Sequence, residues 1–266
     1  MSPMSQSILT VDAFTDEPFR GNPAAVCVLD APIPDARMQL IAREMNLAET
    51  AFLHPIDGGW NLRWFTPSVE VDLCGHATLA SAHVLWTCDL QPADTTARFQ
   101  TRSGVLMADR RDGWIELDFP TTPPVVEAPP AGLVEALGVT ATYVGRTRFD
   151  WFVEIGDAEV VRSMAPDLHR LRGVKSRGII VTAVSDDPSF DFVSRFFAPA
   201  SGVDEDPVTG SAHCALAPYW AGKLGRRELA GWQASVRGGL VRVVHAGDRT
   251  KLFGKAVTVL RGELLV

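Results

Sequence analysis

The sequence has 266 residues, of which 46% are hydrophobic and 21% charged, a composition typical of a globular protein with one large or two medium domains. Its net charge of -7 disfavours binding to nucleic acid, because phosphate binding needs a concentrated basic surface and the basic runs here are short. The chain lacks both an apolar run of the roughly 20 residues that a membrane helix needs and a signal-peptide pattern, so we expect a cytoplasmic protein with no membrane partner.

The first half of the chain is predicted to alternate short strands with two helices. Asp35 can cap a helix that continues to about residue 46 with apolar residues at helical spacing. A second helix follows Cys74-Gly75-His76 and ends near residue 87. The predicted strands are 8–14, 24–29, 50–54, 61–65, 70–73 and an antiparallel pair, 99–109 with 113–118.

A proline-rich segment, residues 119–130, divides the chain. Its five prolines disfavour both helix and central strand, so we place a domain boundary there, between halves 1–120 and 121–266. The second half is predicted to contain helices at 133–137 and 210–224. Its predicted strands are 151–155, 178–183, 234–236, 240–245, 251–259 and 263–266.

Residues 73–77 and 208–212 share a local pattern: a strand-like approach, a glycine, a polar residue and an alanine-rich helix. The repetition predicts a duplicated α+β architecture with a cleft between the halves. A helix start presents unpaired N–H groups with partial positive charge, and Gly75 or Gly210 would let a carboxylate approach them. The alternative is that both glycines only allow tight turns.

Glu49 and His76 are the first candidates for proton transfer. Glu49 lies between the first helix and an apolar strand, where partial burial would raise the pKa of a carboxyl group toward the range useful for acid–base catalysis. The alternative is an ordinary surface acid at a helix end. His76 follows Gly75 and is suited to donate to a substrate, or else to cap the helix.

Asp206 and Ser211 are the candidates in the second half. Asp206 ends an acidic run, 204–206, and the following Pro207 would hold it toward a cleft; a solvated acidic loop is the alternative. Ser211 does not lie in a nucleophile-elbow sequence. The cysteines lack metal-site spacing, the acidic run lacks the pattern of a calcium loop, and no dinucleotide or phosphate loop occurs. We therefore predict neither a metal nor a cofactor.

Several segments together resemble the PhzF-like phenazine-biosynthesis family. They are VDAFT at 11–15, GNPA at 21–24, NLAETAF at 46–52, RWFTP at 63–67, CGHAT at 74–78 and EDPVTGSA at 205–212. The resemblance implies the diaminopimelate-epimerase-like fold, which is α+β with two similar domains, each a mainly antiparallel sheet wrapped around a central helix. It also implies a homodimer and catalysis without metal or cofactor.

The resemblance also implies roles for particular residues. The family's catalytic glutamate falls on Glu49, and its histidine, aspartate and serine partners fall on His76, Asp206 and Ser211. Substrate contacts are expected at Gly75, Ala77, Thr209 and Gly210. The implied reaction is isomerisation of a small carboxylic acid, as in the family's conversion of trans-2,3-dihydro-3-hydroxyanthranilate by proton transfer.

Two alternatives remain open. The related epimerases and racemases use a pair of cysteines, but here the two positions are Cys74 and Thr209, and a hydroxyl is a far poorer base than a thiolate. This disfavours two-cysteine racemisation but leaves an isomerase or epimerase of another amino or hydroxy acid. The second alternative is a non-catalytic protein of the same fold that binds a small acid.

Overall fold

The computed structural model describes residues 5–265, which divide into two compact units. The first unit extends to Asp118 and takes up the chain again at Phe253; the second is Phe119–Leu252. Within the described residues, no helix combines the length and the apolar character needed to cross a membrane.

The α-helices of the described residues are α1 (Asp35–Met45), α2 (Gly75–Thr87), α3 (Leu133–Leu137), α4 (Ala158–Ser163), α5 (Leu168–Leu171) and α6 (Gly210–Leu224). The strands are β1 (Ser5–Ala13), β2 (Asn22–Val28), β3 (Glu49–Ile56), β4 (Gly59–Phe65), β5 (Glu70–Val71), β6 (Ala97–Thr101), β7 (Gly104–Arg111), β8 (Trp114–Pro120), β9 (Val125–Val126), β10 (Ala141–Arg146), β11 (Asp150–Ile155), β12 (Gly178–Val184), β13 (Phe192–Phe197), β14 (Glu228–Gln233), β15 (Gly239–Ala246), β16 (Arg249–Gly254) and β17 (Ala256–Leu265).

The first unit is a sheet packed on the buried helix α2. Strands β17, β1 and β2 pair antiparallel, β2 and β3 pair parallel, and β4 pairs antiparallel to β3. Most of α2 is buried, and Ala77, Ala80 and Ala82 are completely so, because small side chains let the strands approach the helix closely. A Cβ at Gly254 would lie 2.6 Å from Leu79 Cδ1, which shows how closely β16 approaches α2.

Helix α1 packs on a separate cluster of the same unit. Its apolar residues Met38, Ile41 and Ala42 are buried against alternate residues of β2, Ala25 and Cys27. The helix ends at Asn46, which has a φ of 51° and donates its N–H to the Ala42 carbonyl. This left-handed end turns the chain directly into β3, whose first residue is Glu49.

The second unit repeats this plan around helix α6. Strands β11 and β12 pair parallel, β13 pairs antiparallel to β12, and β14 pairs parallel to β13. Helix α6 is mostly buried, and Trp220 donates from Nε1 to Thr182 Oγ1 of β12 at 3.0 Å. The predicted α+β fold, with a sheet around a central helix in each of two similar units, is confirmed.

The extent of the second half differs from the predicted 121–266. Residues from Phe253 onward group with the first unit, because β17 pairs with β1 along nearly the whole length of both strands. The proline-rich segment does begin the second unit, at Phe119.

Three predicted strands are wrong in detail. The strand 99–109 is interrupted after Thr101, whose hydroxyl donates to the Gly104 carbonyl across a turn. The strand 251–259 breaks at Lys255, whose carbonyl accepts the N–H of Phe14. Residues 234–236 follow β14 rather than form a strand, and Val236 is 99% exposed. The predicted end at residue 266 lies outside the described residues.

Candidate active site

The two central helices begin in the same way. Cys74 is the residue before α2 and Thr209 the residue before α6, and neither side chain caps its helix. In both cases the carbonyl of this residue accepts a hydrogen bond from the side chain four positions later, Thr78 Oγ1 at 2.5 Å and His213 Nδ1 at 2.9 Å. Both helices therefore leave first-turn N–H groups without a side-chain cap, which is a common arrangement for binding anions.

Four residues of the first unit, Asn22, Glu49, Cys74 and His76, form what we call the Glu49 cluster. Asn22 is the first residue of β2 and Glu49 the first residue of β3. Because these strands are parallel, with Ala24 opposite Glu49, their starts lie side by side. The start of α2 then brings Cys74 and His76 to the same place.

His76 is the centre of the Glu49 cluster. Its Nε2 lies 3.2 Å from Glu49 Oε2, its Nδ1 lies 3.2 Å from Asn22 Nδ2, and Cys74 Sγ lies 3.5 Å from Nδ1. The His76 side chain is only 5% exposed and the Glu49 side chain 19%. The pair is therefore largely shielded from water, but part of the Glu49 carboxylate remains exposed to solvent.

Burial lowers the pKa of His76 to about 3, so the imidazole is neutral near pH 7. A neutral imidazole has one donor and one acceptor nitrogen. The amide NH₂ of Asn22 can only donate, so Nδ1 is the acceptor and Nε2 carries the proton. His76 thus donates from Nε2 to the Glu49 carboxylate, and Glu49 has a neutral partner rather than a cation.

Cys74 belongs to this cluster as well as to the helix start. One ligand-type atom from each of Glu49, Cys74 and His76 lies within 4.8 Å of the other two, a grouping that suits a metal ion. From the sequence, the spacing of the cysteines indicated no metal site and Cys74 was matched with Thr209; the expectation of a metal-free protein stays a prediction.

In the second unit, Asp206 is held by Thr209 and Gln233. Thr209 Oγ1 donates to Asp206 Oδ2 at 2.6 Å, and the Thr209 N–H donates to Gln233 Oε1 at 2.8 Å. Gln233 Nε2 donates to the Asp206 carbonyl at 2.8 Å and to Thr209 Oγ1 at 3.2 Å. Gln233 is completely buried, so this network fixes the loop that carries Asp206.

The acidic run 204–206 is not a uniformly solvated loop. Asp204 accepts from Arg172 at 3.0 Å, and Glu205 forms a bidentate pair with Arg195, with distances of 2.7 and 2.8 Å. Each acid of the run has its own partner, and Asp206 is the one placed beside the start of α6.

The remaining predicted residues lie at the two helix starts. Gly75 is half-buried and Ala77 buried in the first turn of α2; Gly210 is buried and Ser211 half-buried in the first turn of α6. Across residues 5–265, the Ser211 hydroxyl makes no hydrogen bond to another side chain or to the backbone, so it is available to a ligand.

Two residues of these networks were missed by the sequence analysis. Asn22 was named only within the GNPA segment of the family resemblance, and no role in the site was predicted for it. Gln233 carries no local signal, because it lies 24 residues from Thr209 and meets it only through the pairing of β13 with β14.

A cavity of about 600 Å³ lies elsewhere in the second unit, and its lining includes Arg146, Trp151, Arg170 and Lys175. None of the predicted catalytic residues lines it. It contributes no carboxylate, imidazole or thiol to proton transfer, so the cavity is not the candidate active site.

Comparisons with known proteins agree with the resemblance. An uncharacterized isomerase of Halalkalibacterium halodurans is 53% identical over 264 residues, 99% of this chain and 100% of that protein. One from Pseudomonas aeruginosa is 50% identical over 261 residues, 98% and 99% of the two chains. The crystal structure of a PhzF-family phenazine biosynthesis protein from Enterococcus faecalis superposes with a TM-score of 0.94 at 41% identity, covering 99% of this chain and 100% of that one.

Racemase and epimerase structures with 11% identity also match, and they show the fold alone. Residues 11–262 match the family model of phenazine biosynthesis-like proteins. The match covers nearly the whole chain, and it includes the starts of β2, β3 and α2, which hold the Glu49 cluster, as well as the start of α6 in the second unit. The chain therefore belongs to the phenazine biosynthesis-like (PhzC-PhzF) family.

Proposed function

We propose that this protein is an isomerase of a small carboxylic acid, in which the Glu49 carboxylate removes a proton from one carbon and returns a proton to another. The observation that carries the proposal is the 3.2 Å contact between Glu49 and the buried, neutral His76. The names of the relatives, uncharacterized isomerases, support the same reaction class.

The neutrality of His76 matters for the chemistry of Glu49. A cationic partner would stabilise the carboxylate strongly and make it a weak base, whereas a neutral N–H donor orients the carboxylate with a smaller loss of basicity. The Glu49 side chain is also only 19% exposed, and partial shielding from water favours the basicity of a carboxylate. Asn22 contributes by holding Nδ1, which fixes the tautomer that directs Nε2–H toward Glu49.

The helix starts supply binding groups. Uncapped N–H groups around Gly75 and Ala77 lie next to the Glu49 cluster and suit a substrate carboxylate. In the second unit, we assign the same role to Thr209 and Gly210. Asp206 then binds a polar group of the substrate, in an orientation set by Thr209, and Ser211 donates a further hydrogen bond.

The arrangement favours a proton shift over inversion of a carbon centre. Inversion needs two proton-transfer groups on opposite faces of the carbon. Glu49 and Cys74, whose ligand-type atoms lie within 4.8 Å of each other, are too close together to contact one carbon from opposite faces, each at about 3–3.5 Å. Thr209, at the position equivalent to Cys74, has a hydroxyl that is already donated to Asp206.

The first substrate to test is trans-2,3-dihydro-3-hydroxyanthranilate, the compound that the family resemblance implies. It carries a carboxylate for the helix starts and an activated carbon for Glu49. The metal-free, cofactor-free mechanism is part of the proposal, because the carboxylate and the substrate's own conjugation suffice to move a proton.

The test is proton NMR in deuterated water with the wild type, Glu49→Gln and Glu44→Gln. Glu44 is an exposed acid on α1, so the control makes the same chemical change outside the cluster. Loss of a general base costs about 10²–10⁴-fold in rate, so we expect Glu49→Gln to lose at least about 100-fold and Glu44→Gln to match the wild type.

Retained turnover by a well-folded Glu49→Gln would overturn the assignment of the base. Absence of turnover with all three proteins would exclude this substrate and direct the same assay to other small amino and hydroxy acids. Binding of those acids without any exchange of carbon-bound protons would instead support the non-catalytic alternative.

A further inference from the structure

We propose that Glu49, Cys74 and His76 also form a binding site for a thiophilic divalent cation such as Zn²⁺, and that occupation of this site blocks proton transfer. The inference goes beyond the isomerase activity and gives Cys74 a role of its own.

The first argument is the chemical type of the three donor groups. A thiolate, an imidazole nitrogen and a carboxylate are the three ligand types that bind Zn²⁺ in proteins, and a set of three with an open fourth position is common among zinc enzymes. The soft sulfur of Cys74 favours Zn²⁺ over Mg²⁺ or Ca²⁺, which prefer oxygen ligands. The fourth position would be taken by water or by a small carboxylate.

The second argument is the set of distances between the donor atoms. Tetrahedral Zn²⁺ with ordinary bond lengths places its nitrogen, oxygen and sulfur ligands about 3.3–3.6 Å apart. In the Glu49 cluster, His76 Nε2 lies 3.2 Å from Glu49 Oε2 and 4.0 Å from Cys74 Sγ. Cys74 Sγ lies closer to Nδ1, at 3.5 Å, than to Nε2, so a rotation of the Cys74 side chain must carry Sγ by more than about 1 Å toward the Nε2 side of the ring to bring all three atoms to one ion.

Charge and protonation are compatible with the site. The thiol loses its proton on binding, so Zn²⁺ with a thiolate, a carboxylate and a neutral imidazole has no net charge. Cys74 lies directly before α2, whose start carries partial positive charge.

Asn22 allows the change of tautomer that the metal requires. Nε2 must give up its proton to bind the ion, so the ring proton moves to Nδ1. A half-turn of the Asn22 amide then presents Oδ1, in place of Nδ2, to the new Nδ1–H at the same 3.2 Å position. The same side chain therefore supports the metal-bound ring as well as the metal-free one.

Occupation would stop the proposed reaction directly. The ion binds the carboxylate oxygen and the Nε2 nitrogen that the isomerase needs, so Glu49 can no longer accept a proton from carbon. Removal of the ion by a chelator restores the carboxylate without any covalent change.

The experiment measures metal binding itself, so it does not depend on whether the isomerase proposal is right. Chelator-treated wild type, Cys74→Ala and Cys88→Ala are titrated with Zn²⁺ against a chromophoric chelator, and with Co²⁺ to detect the thiolate-to-cobalt charge-transfer band. Cys88 is the matched control, because its thiol is half-exposed and lies beside Arg261 rather than in the Glu49 cluster.

We expect one ion per chain in the wild type and in Cys88→Ala, with the charge-transfer band present in both. Cys74→Ala should lose the band and bind Zn²⁺ at least roughly 100-fold more weakly, since loss of a direct ligand should exceed the 10- to 100-fold effect of losing an outer partner. Equal binding by Cys74→Ala, loss of the band in Cys88→Ala, or no stoichiometric binding by the wild type would overturn the proposal.

Discussion

His213 is expected to make the stability of this protein fall below pH 6.5. The side chain is completely buried in α6, and Nδ1 donates to the Thr209 carbonyl at 2.9 Å. Within the part of the chain that the structure describes, its Nε2 is buried and has no hydrogen-bond partner. Burial lowers the pKa of His213 to about 4, from 6.5 in an exposed histidine.

The size of the effect follows from this difference in pKa. Between pH 6.5 and about pH 4, the unfolded chain carries a proton on His213 that the native protein lacks, so the free energy of unfolding falls as the pH falls. Above pH 6.5 neither state is protonated and the effect is absent. A difference of about two and a half pKa units corresponds to about 3 kcal/mol.

The substitution His213→Gln isolates this contribution. Glutamine keeps an N–H that can donate to the Thr209 carbonyl but does not titrate. Urea unfolding at about pH 7.5 and about pH 4 should show that the variant loses about 3 kcal/mol less stability than the wild type over this interval. His76 and His83 also have lowered pKa values, but they titrate equally in both proteins and cancel in the difference.

The control is His169→Gln, the same change at an exposed histidine of α5, which should leave the pH dependence as in the wild type. If His213→Gln and the wild type lose the same free energy between the two pH values, the account of His213 as a buried neutral group is wrong.

Two further predictions concern the surroundings of Thr209. In Gly231→Ala, the new Cβ would lie 2.3 Å from Phe192 Cζ. This crowding should lower the free energy of unfolding, measured in a urea titration, by about 1–3 kcal/mol. The control is Gly222→Ala, whose Cβ would have nothing within 4 Å and which should be neutral or stabilising. Gln233→Leu leaves the Thr209 N–H unpaired and should cost about 1–3 kcal/mol; unchanged stability and turnover would contradict a fixing role for Gln233.

The sequence located the chemical groups better than it located their contacts. Glu49 and His76 were singled out from their neighbours and from the family resemblance, and both lie in the Glu49 cluster. Their 3.2 Å contact depends on the packing of α2 against β3, and the parallel pairing of β2 with β3, which connects residues about 25 positions apart, brings Asn22 to the same place. No local sequence pattern encodes such a pairing. The role of Asn22 in the Glu49 cluster was therefore not predicted, although the GNPA segment that contains it had been recognised.

The errors in strand prediction have a different origin. The turn after Thr101 contains Ser103-Gly104, with Gly104 at a φ of 97°, and the break at Lys255 follows Gly254, so both points carried a local signal that the β-rich residues around them outweighed. Helices α2 and α6 were placed correctly, since a glycine start followed by many small residues is a strong local signal.

The starts of α2 and α6 share one backbone arrangement but have different side chains at the position before the helix. In each, the residue before the helix has its carbonyl held by the side chain four positions later, Thr78 in α2 and His213 in α6. At the position before the helix, α2 has Cys74 in contact with an imidazole, whereas α6 has Thr209, which donates to Asp206.

This asymmetry bears on the reaction. Exchange of protons on two faces of one carbon needs a comparable acid and base, and the thiol of Cys74 and the hydroxyl of Thr209 are not a comparable pair. Glu49, at the start of β3, lies close to Cys74 and His76 at the start of α2. At the start of α6, the Asp206 carboxylate is instead held by a neutral donor, the Thr209 hydroxyl, an arrangement suited to orienting a substrate. Proton removal and proton return by the same carboxylate, Glu49, is the mechanism that this division favours.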